Sequence, residues 1–141
     1  ETNTTLRTSI IGPEIKENGE GLFHWFMNQK NNINGYQKEI WSGVSTIQLS
    51  KVIKCVIEKN ITGLYHVTNN TSISKNDLLH LFNKYTNKNL IINPTQGKYS
   101  NKSLIDTRKN LGYLIPSYEE MVSEMVKNTR KYSNLYAYKE L

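Results

Sequence analysis

A chain of 141 residues with 37% hydrophobic content and a net charge of +6 has the material for one compact domain with a core and is too short for two well-formed ones. Its apolar residues recur in periodic runs broken by Asn, Gly and Pro, which excludes the low-hydrophobicity pattern of a disordered chain. No apolar run approaches the roughly 20 residues of a membrane-spanning helix, and no basic-then-apolar leader opens the chain. One cysteine, Cys55, makes no internal disulfide and fits a reducing cytoplasm.

The positive charge suits nucleic acid or an acidic small ligand. The lysines are scattered, however, and Arg7, Arg108 and Arg130 are the three arginines able to grip a phosphate bidentately. We therefore expect a nucleotide diphosphate, no nucleic acid and no membrane. The Asn-x-Ser/Thr triplets at Asn60, Asn69 and Asn101 are what an Asn-rich composition produces, and are not read as glycan acceptors.

In chain order, Thr4 to Ile11 is rich in β-formers and ends at Gly12-Pro13, which predicts a strand and a turn. A strand with so little chain before it reads as cut from something longer. Leu22, Phe23, Trp25, Phe26 and Met27 predict a short helix over 21–30 buried on much of its circumference, stopped by Asn31 and Asn32. Ile33 to Tyr36 predicts a short strand, and Gln37 to Ser45 a loop carrying Trp41 and Gly43.

The strongest periodicity is that of Leu49, Val52, Ile53, Val56 and Ile57, which predicts an amphipathic helix over 46–59. Its run of neighbours makes Cys55 a buried structural thiol. Leu64 to Val67 predicts a strand. Ser74 caps a further helix with Asp77 in its first turn, burying Leu78, Leu81, Phe82 and Tyr85. Leu90 to Ile92 predicts a strand halted by Pro94, then a polar loop over 96–102 and a short helical segment over 105–111. Ser117 and Glu120 form a capping box for a last helix that buries Met121, Val122, Met125 and Val126. Strands alternate with helices at intervals that favour βα units, hence an α/β fold with a partly parallel sheet.

Chemistry is harder to find. His24, His66 and His80 fall on different elements with no i, i+4 pair and no cysteine partner, so no metal site is expected. No Gly-x-Ser-x-Gly elbow and no Gly-Lys-Ser/Thr phosphate loop is present to anchor a hydrolase or nucleotidase reading.

Four segments taken in order, Leu6-Arg7-Thr8-Ser9-Ile10-Ile11-Gly12-Pro13, Trp41-Ser42-Gly43-Val44-Ser45-Thr46, Gly63-Leu64-Tyr65-His66-Val67 and Ile115-Pro116-Ser117-Tyr118-Glu119-Glu120-Met121, resemble the extended short-chain dehydrogenases/reductases. The likeness is to the branch of dTDP-4-dehydrorhamnose reductases that binds sugar nucleotides, and it covers the chain to about Met125. It implies the carboxy-terminal lobe of such a fold, short partly parallel strands with flanking helices and no Rossmann half. Residues 1–141 are then a single substrate-binding domain. Its first 13 residues are a strand and turn belonging to the missing Rossmann sheet, and 127–141 form a polar helix end and tail.

By resemblance, the full-length protein is a reductase of a 4-keto-6-deoxy nucleotide sugar in surface-polysaccharide precursor synthesis. It uses NADP or NAD, bound mainly by the missing amino-terminal part. A nucleotide-sugar 4-epimerase or dehydratase of the same superfamily, or a non-catalytic binding subunit on that fold, are the alternatives. The eight glycines contain no pair three apart, so the family's Gly-x-x-Gly-x-x-Gly fingerprint is missing. None of the nine tyrosines has a lysine four residues later, so the Tyr-x-x-x-Lys pair that supplies the general acid is missing too. No catalytic residue and no cofactor is therefore expected of this chain alone.

The candidates that the resemblance leaves are substrate contacts: Ser9, Ile10, Ile11 and Gly12 as pocket backbone, Trp41 as a ring for a sugar or base, and Arg108 for a diphosphate. Beside each stands a plainer reading: a buried strand and turn, a core aromatic, a surface arginine. The sequence departs from the family at Ile10, where the reductases often carry Trp. It departs again at Lys38 to Val44, where they carry an Asp-Gln…Pro-Thr loop, and the sugar is left open. Expected partners are a nucleotide-diphosphate sugar, the missing Rossmann domain, and other copies of the chain through exposed strands.

Overall fold

A computed structural model describes residues 2–138 and 141. Its strands are short and mostly paired in parallel twos. β1 (Thr4–Arg7) lies beside β6 (Gly63–His66) in the register Arg7↔His66, and β2 (Ile10–Ile11) lies beside β5 (Val44–Ser45). β3 (Asn32–Tyr36) pairs in parallel with β8 (Ile91–Thr95), while β4 (Glu39–Trp41) lies between antiparallel β7 (Ile73–Ser74) and parallel β9 (Ser100–Asn101).

The three long helices follow the sequence closely because each carries its own start signal, whereas α1 (Leu22–Met27) has no side-chain cap and ends before the expected stop at Asn31. α2 (Thr46–Glu58) starts where the Ser45 hydroxyl accepts the Gln48 amide at 3.2 Å and α3 (Lys75–Thr86) where Ser74 accepts that of Asp77 at 3.1 Å. α4 (Tyr118–Lys131) opens on the full capping box of Ser117 and Glu120, a device worth about 1 kcal/mol. Asparagine ends elements: Asn60 after α2, Asn87 and Asn89 after α3, and Asn31 before β3 all have positive φ, a conformation Asn tolerates better than most residues. The Asn-rich composition therefore serves the connections.

Two cores result, and α4 spans both. In the first, Phe23, Phe26 and Met27 of α1 (Leu22–Met27) pack with Ile33, Ile92, Leu78, Leu79, Phe82, Val122, Met125 and Val126. In the second, Val52 and Val56 of α2 cover Tyr65 and Val67 together with Leu111, Ile115, Tyr118 and Met121. Cys55 is buried as expected, its thiol near the Leu111 and Gly112 carbonyls.

Several expectations change. The strand foreseen over Thr4 to Ile11 is two strands, because Thr8 and Ser9 carry the chain from one pair to the next. The stretch Gln37 to Ser45 is not a loop but holds β4 and β5, and β9 lies in the polar loop over 96–102. β8 runs through Pro94 instead of stopping there. Ile91 donates to Asn31 and Thr95 accepts from Gln37, so alternate residues face β3 and Pro94, which has no N–H, takes an outward position.

The helix expected over 105–111 is replaced by a turn. The Asp106 carboxylate accepts the Arg108 and Lys109 amides at 3.0 and 3.4 Å, and Lys109 and Gly112 take positive φ. In α1, His24 is buried and Trp25 is 39% exposed, the reverse of the hydrophobicity order. In α3, Leu79 takes the inner place expected of Leu81 and Tyr85, which are half-buried. The tail is less polar than its composition suggests: Tyr136, Tyr138 and Leu141 pack on the first core, while residues 139 and 140 lie outside the described residues.

Candidate functional site

β1 and β6 leave one face and one edge of their pair uncovered. Gly63 donates to Asn3 and Val67 to Arg7, so β6 turns these residues toward β1 and leaves the backbone of Leu64 and His66 on the far edge. Leu6 and Tyr65 face α2 and the second core, whereas Thr5, Arg7 and Leu64 are exposed on the opposite face. A parallel sheet open on one face is unusual, since parallel strands are normally covered on both sides.

At the carboxyl ends of the pair, Thr8 Oγ1 donates to the Val67 carbonyl at 2.8 Å and the chain crosses to β2. Ser9 sits at the crossing, its carbonyl accepting the Val44 amide at 3.0 Å. Ile10 is 52% exposed and Ile11 only 4%, so Ile10 offers a side chain to solvent and Ile11 anchors the strand in the core. Gly12 lies against Thr46 at the start of α2; a methyl there would be 2.5 Å from Thr46 Cγ2. Among the four candidates, then, Ser9 and Gly12 offer backbone, Ile10 offers surface and Ile11 is a core residue.

Trp41 is a neighbour of this crossing. A methyl on Gly43 would strike both the Ser9 carbonyl and the Trp41 ring, and the indole lies 5.8 Å from the Tyr118 ring at 50°. Packed against both cores, Trp41 has the contacts of a structural aromatic. Tyr118 donates to the Thr71 carbonyl at 2.7 Å, and burial holds its phenol above the ordinary tyrosine range.

Arg108 belongs to the outer edge of β6. Its guanidinium stacks 4.7 Å above the Tyr65 ring and donates to the Leu64 carbonyl at 3.1 Å, capping a backbone group that β1 does not reach. His66 Nδ1 donates to the Ile105 carbonyl at 2.9 Å. Leu64, His66, Asp106, Thr107 and Arg108 border an open depression of about 310 Å³. The turn that presents Arg108 is itself fixed, because Asn70 Oδ1 accepts the Asp106 amide at 2.7 Å. Among the described residues no hydrogen bond or ring contact joins Arg108 to Ser9–Gly12 or to Trp41, so the candidates form two patches flanking β1 and β6.

A third exposed patch lies beside the β4–β9 pair. β4 and β9 are parallel with Glu39↔Ser100, so one step earlier Lys38 and Tyr99 stand side by side, both exposed. The pairing is not visible in sequence because β4 and β9 are each too short to show a period. No group of three or more His, Cys, Asp or Glu able to hold a metal occurs among the described residues, and no helix there is long and apolar enough to cross a membrane.

A dTDP-4-dehydrorhamnose reductase from Bacillus anthracis in complex with NADP matches the chain with a TM-score of 0.77 at 19% identity, over 92% of this chain and 49% of that one. Over nearly its whole length the chain shares the α/β fold of about half of that reductase. A UDP-glucose 4-epimerase from Thermotoga maritima with UDP-glucose matches at TM-score 0.67 and 21% identity, over 91% and 46%. A reductase from Clostridium acetobutylicum matches at 0.71 and 16%, over 90% and 49%. The chain thus spans about half the length of the structures it matches. No family model matches the sequence, and no curated protein matches it significantly.

The dinucleotide-binding loop of the short-chain dehydrogenase/reductase superfamily needs glycines whose backbone approaches a pyrophosphate. The described residues do not fit this role: the space before Gly12 is filled by the Thr46 side chain, and the glycines lack the required spacing.

Proposed function

We propose that the chain is the sugar-nucleotide-binding part of an NAD(P)-dependent reductase acting on a 4-keto-6-deoxy nucleotide sugar. The observation that carries this reading is the likeness over nearly the whole chain to half of an NADP-bound dehydrorhamnose reductase. In open α/β sheets ligands bind beyond the carboxyl ends of the parallel strands, and Ser9 to Gly12 lie there, just past β1. Ser9, Ile10 and Gly12 form the wall, Ile11 anchors it and Trp41 supports it from behind. Arg108 offers a positive charge to the diphosphate at the edge of β6. NADP or NAD belongs to the amino-terminal part, and the protein works in the cytoplasm.

A second reading, a nucleotide-sugar 4-epimerase of the same superfamily, is favoured by the match to the epimerase bound to UDP-glucose. Both readings give this chain the same task. Because the fingerprint loop and the Tyr-x-x-x-Lys pair are absent, the chain mixed with NADPH and 4-keto sugar nucleotides is expected to leave the NADPH absorbance unchanged. Turnover above a denatured control would contradict the proposal.

The open face of β1 and β6 is assigned to the Rossmann part. Without that partner, Leu64, 45% exposed beside Thr5 and Arg7, lies on a surface that promotes association. Light scattering is expected to show concentration-dependent growth in apparent mass, abolished in Leu64→Lys. A wild-type chain that stays monomeric at high concentration removes this face from the account.

A further inference from the structure

The tail after α4 returns across the molecule to the loop that leaves the candidate wall. Tyr138 is 8% exposed, its ring edge-on to Phe23 at 5.9 Å and stacked on Tyr136 at 5.9 Å. Its Oη accepts the Glu14 amide at 2.9 Å and lies 3.1 Å from Nδ1 of His24. The other ring nitrogen of His24 meets the Glu17 carbonyl at 3.2 Å. The Glu14 carboxylate in turn accepts the Gly21 amide.

The proton directions in this relay follow from two premises: a carbonyl oxygen has no proton to give, and an imidazole with hydrogen on one nitrogen only accepts on the other. His24 Nε2 must therefore carry hydrogen to bind Glu17. In the neutral ring Nδ1 is then an acceptor, so the Tyr138 hydroxyl donates to it and receives the Glu14 amide on a lone pair. The result runs Glu14 N–H to Tyr138 O–H to His24 Nδ1, and His24 Nε2–H to the Glu17 carbonyl. The Glu14 amide, the Tyr138 hydroxyl and His24 Nε2–H each donate once, an arrangement in which hydrogen bonds reinforce one another. Burial also holds the Tyr138 phenol above its ordinary range, which keeps its proton in place. The relay begins and ends in the same loop and passes through α1 and the tail between.

We infer that Tyr138 and His24 form a strap by which the carboxy-terminal tail holds residues 13–21, and that Tyr138 is thereby a positioning residue for the wall at Ser9 to Gly12. The second half rests on the function proposed above. The strap itself stands on geometry alone. Residues 13–21 have no helix or strand of their own, so backbone bonds do not supply what the relay supplies.

Amide hydrogen exchange on the chain and on Tyr138→Phe separates the two halves. The phenyl ring keeps its packing on Phe23 and Tyr136 and loses both hydrogen bonds. Exchange at Glu14 and Gly21 is expected to rise about tenfold while α2 and α4 keep their rates. Equal rates at 14–21 in the two proteins overturn the strap. If the variant loses its fold, the ring-nitrogen spectrum of His24 in the unaltered chain decides instead: Nε2 protonated and Nδ1 bare supports the relay, and the opposite tautomer overturns it. With the strap confirmed, dTDP-glucose titrated into both proteins should bind several-fold more weakly to Tyr138→Phe. Equal affinity would overturn the positioning role, and no binding to the unaltered chain would overturn the cleft reading while leaving the strap to the exchange result.

Discussion

Phe82→Ala is expected to lower the unfolding free energy by about 3–5 kcal/mol. Phe82 is fully buried, with edge-to-face rings on Phe23 at 5.1 Å and on Phe26 at 5.5 Å, and it joins α1 to α3 at the centre of the first core. Removing the ring leaves a cavity walled by residues of two helices that neighbouring side chains are too tightly packed to fill. A domain of this size has roughly 5–15 kcal/mol in all, so the variant should melt about 10 °C lower. A urea titration measures the loss, and a change below about 1 kcal/mol would show that the two helices do not meet through this ring.

Gly43→Ala is expected to cost about 3 kcal/mol through a different mechanism. A methyl group there would collide with the Ser9 carbonyl and the Trp41 ring at once. The carbonyl is backbone and yields only if β2 moves from β5, which breaks the 3.0 Å bond from Val44. The variant therefore damages the candidate wall as well as the fold. Denaturation gives the stability, and amide shifts at Ser9 to Gly12 report the displacement. An alanine variant of unchanged midpoint would mean that the crossing at Ser9 is looser than the contacts indicate.

Helices were legible in this sequence and the short strands were not, for a physical reason. Each long helix has a serine cap and an apolar stripe several turns long; Ser74 and Ser117 cap as expected, and Ser45 caps α2 as well. β4, β5, β7 and β9 have two or three residues each, too few for alternation to appear. The turn at Asp106 had a local signal, an aspartate that binds amides two and three residues on. The burial of His24 and Tyr138 had none, since their pairing spans 114 residues.

Of the candidate site, the motif order shows Ser9 to Gly12 only as a strand end and turn, which the structure places just past β1. What each side chain does was not legible. Ile11 and Trp41 make core contacts, one of the two readings the sequence leaves open for each, and Arg108 binds the edge of β6. Lys38 and Tyr99 became neighbours only through strand pairing.

The proposed function has this chain offer one wall of a nucleotide-sugar cleft at Ser9 to Gly12, with Arg108 on a separate patch at the outer edge of β6. Amide spectra of the labelled chain during titration with dTDP-glucose test it most directly. One wall buries too little of a ligand to offset the cost of association. Saturable shifts at Ser9, Ile10 and Gly12 are therefore expected, with a dissociation constant weaker than about 100 μM. Shifts confined to the outer faces of α3 and α4, or tight binding in the low micromolar range, would contradict it.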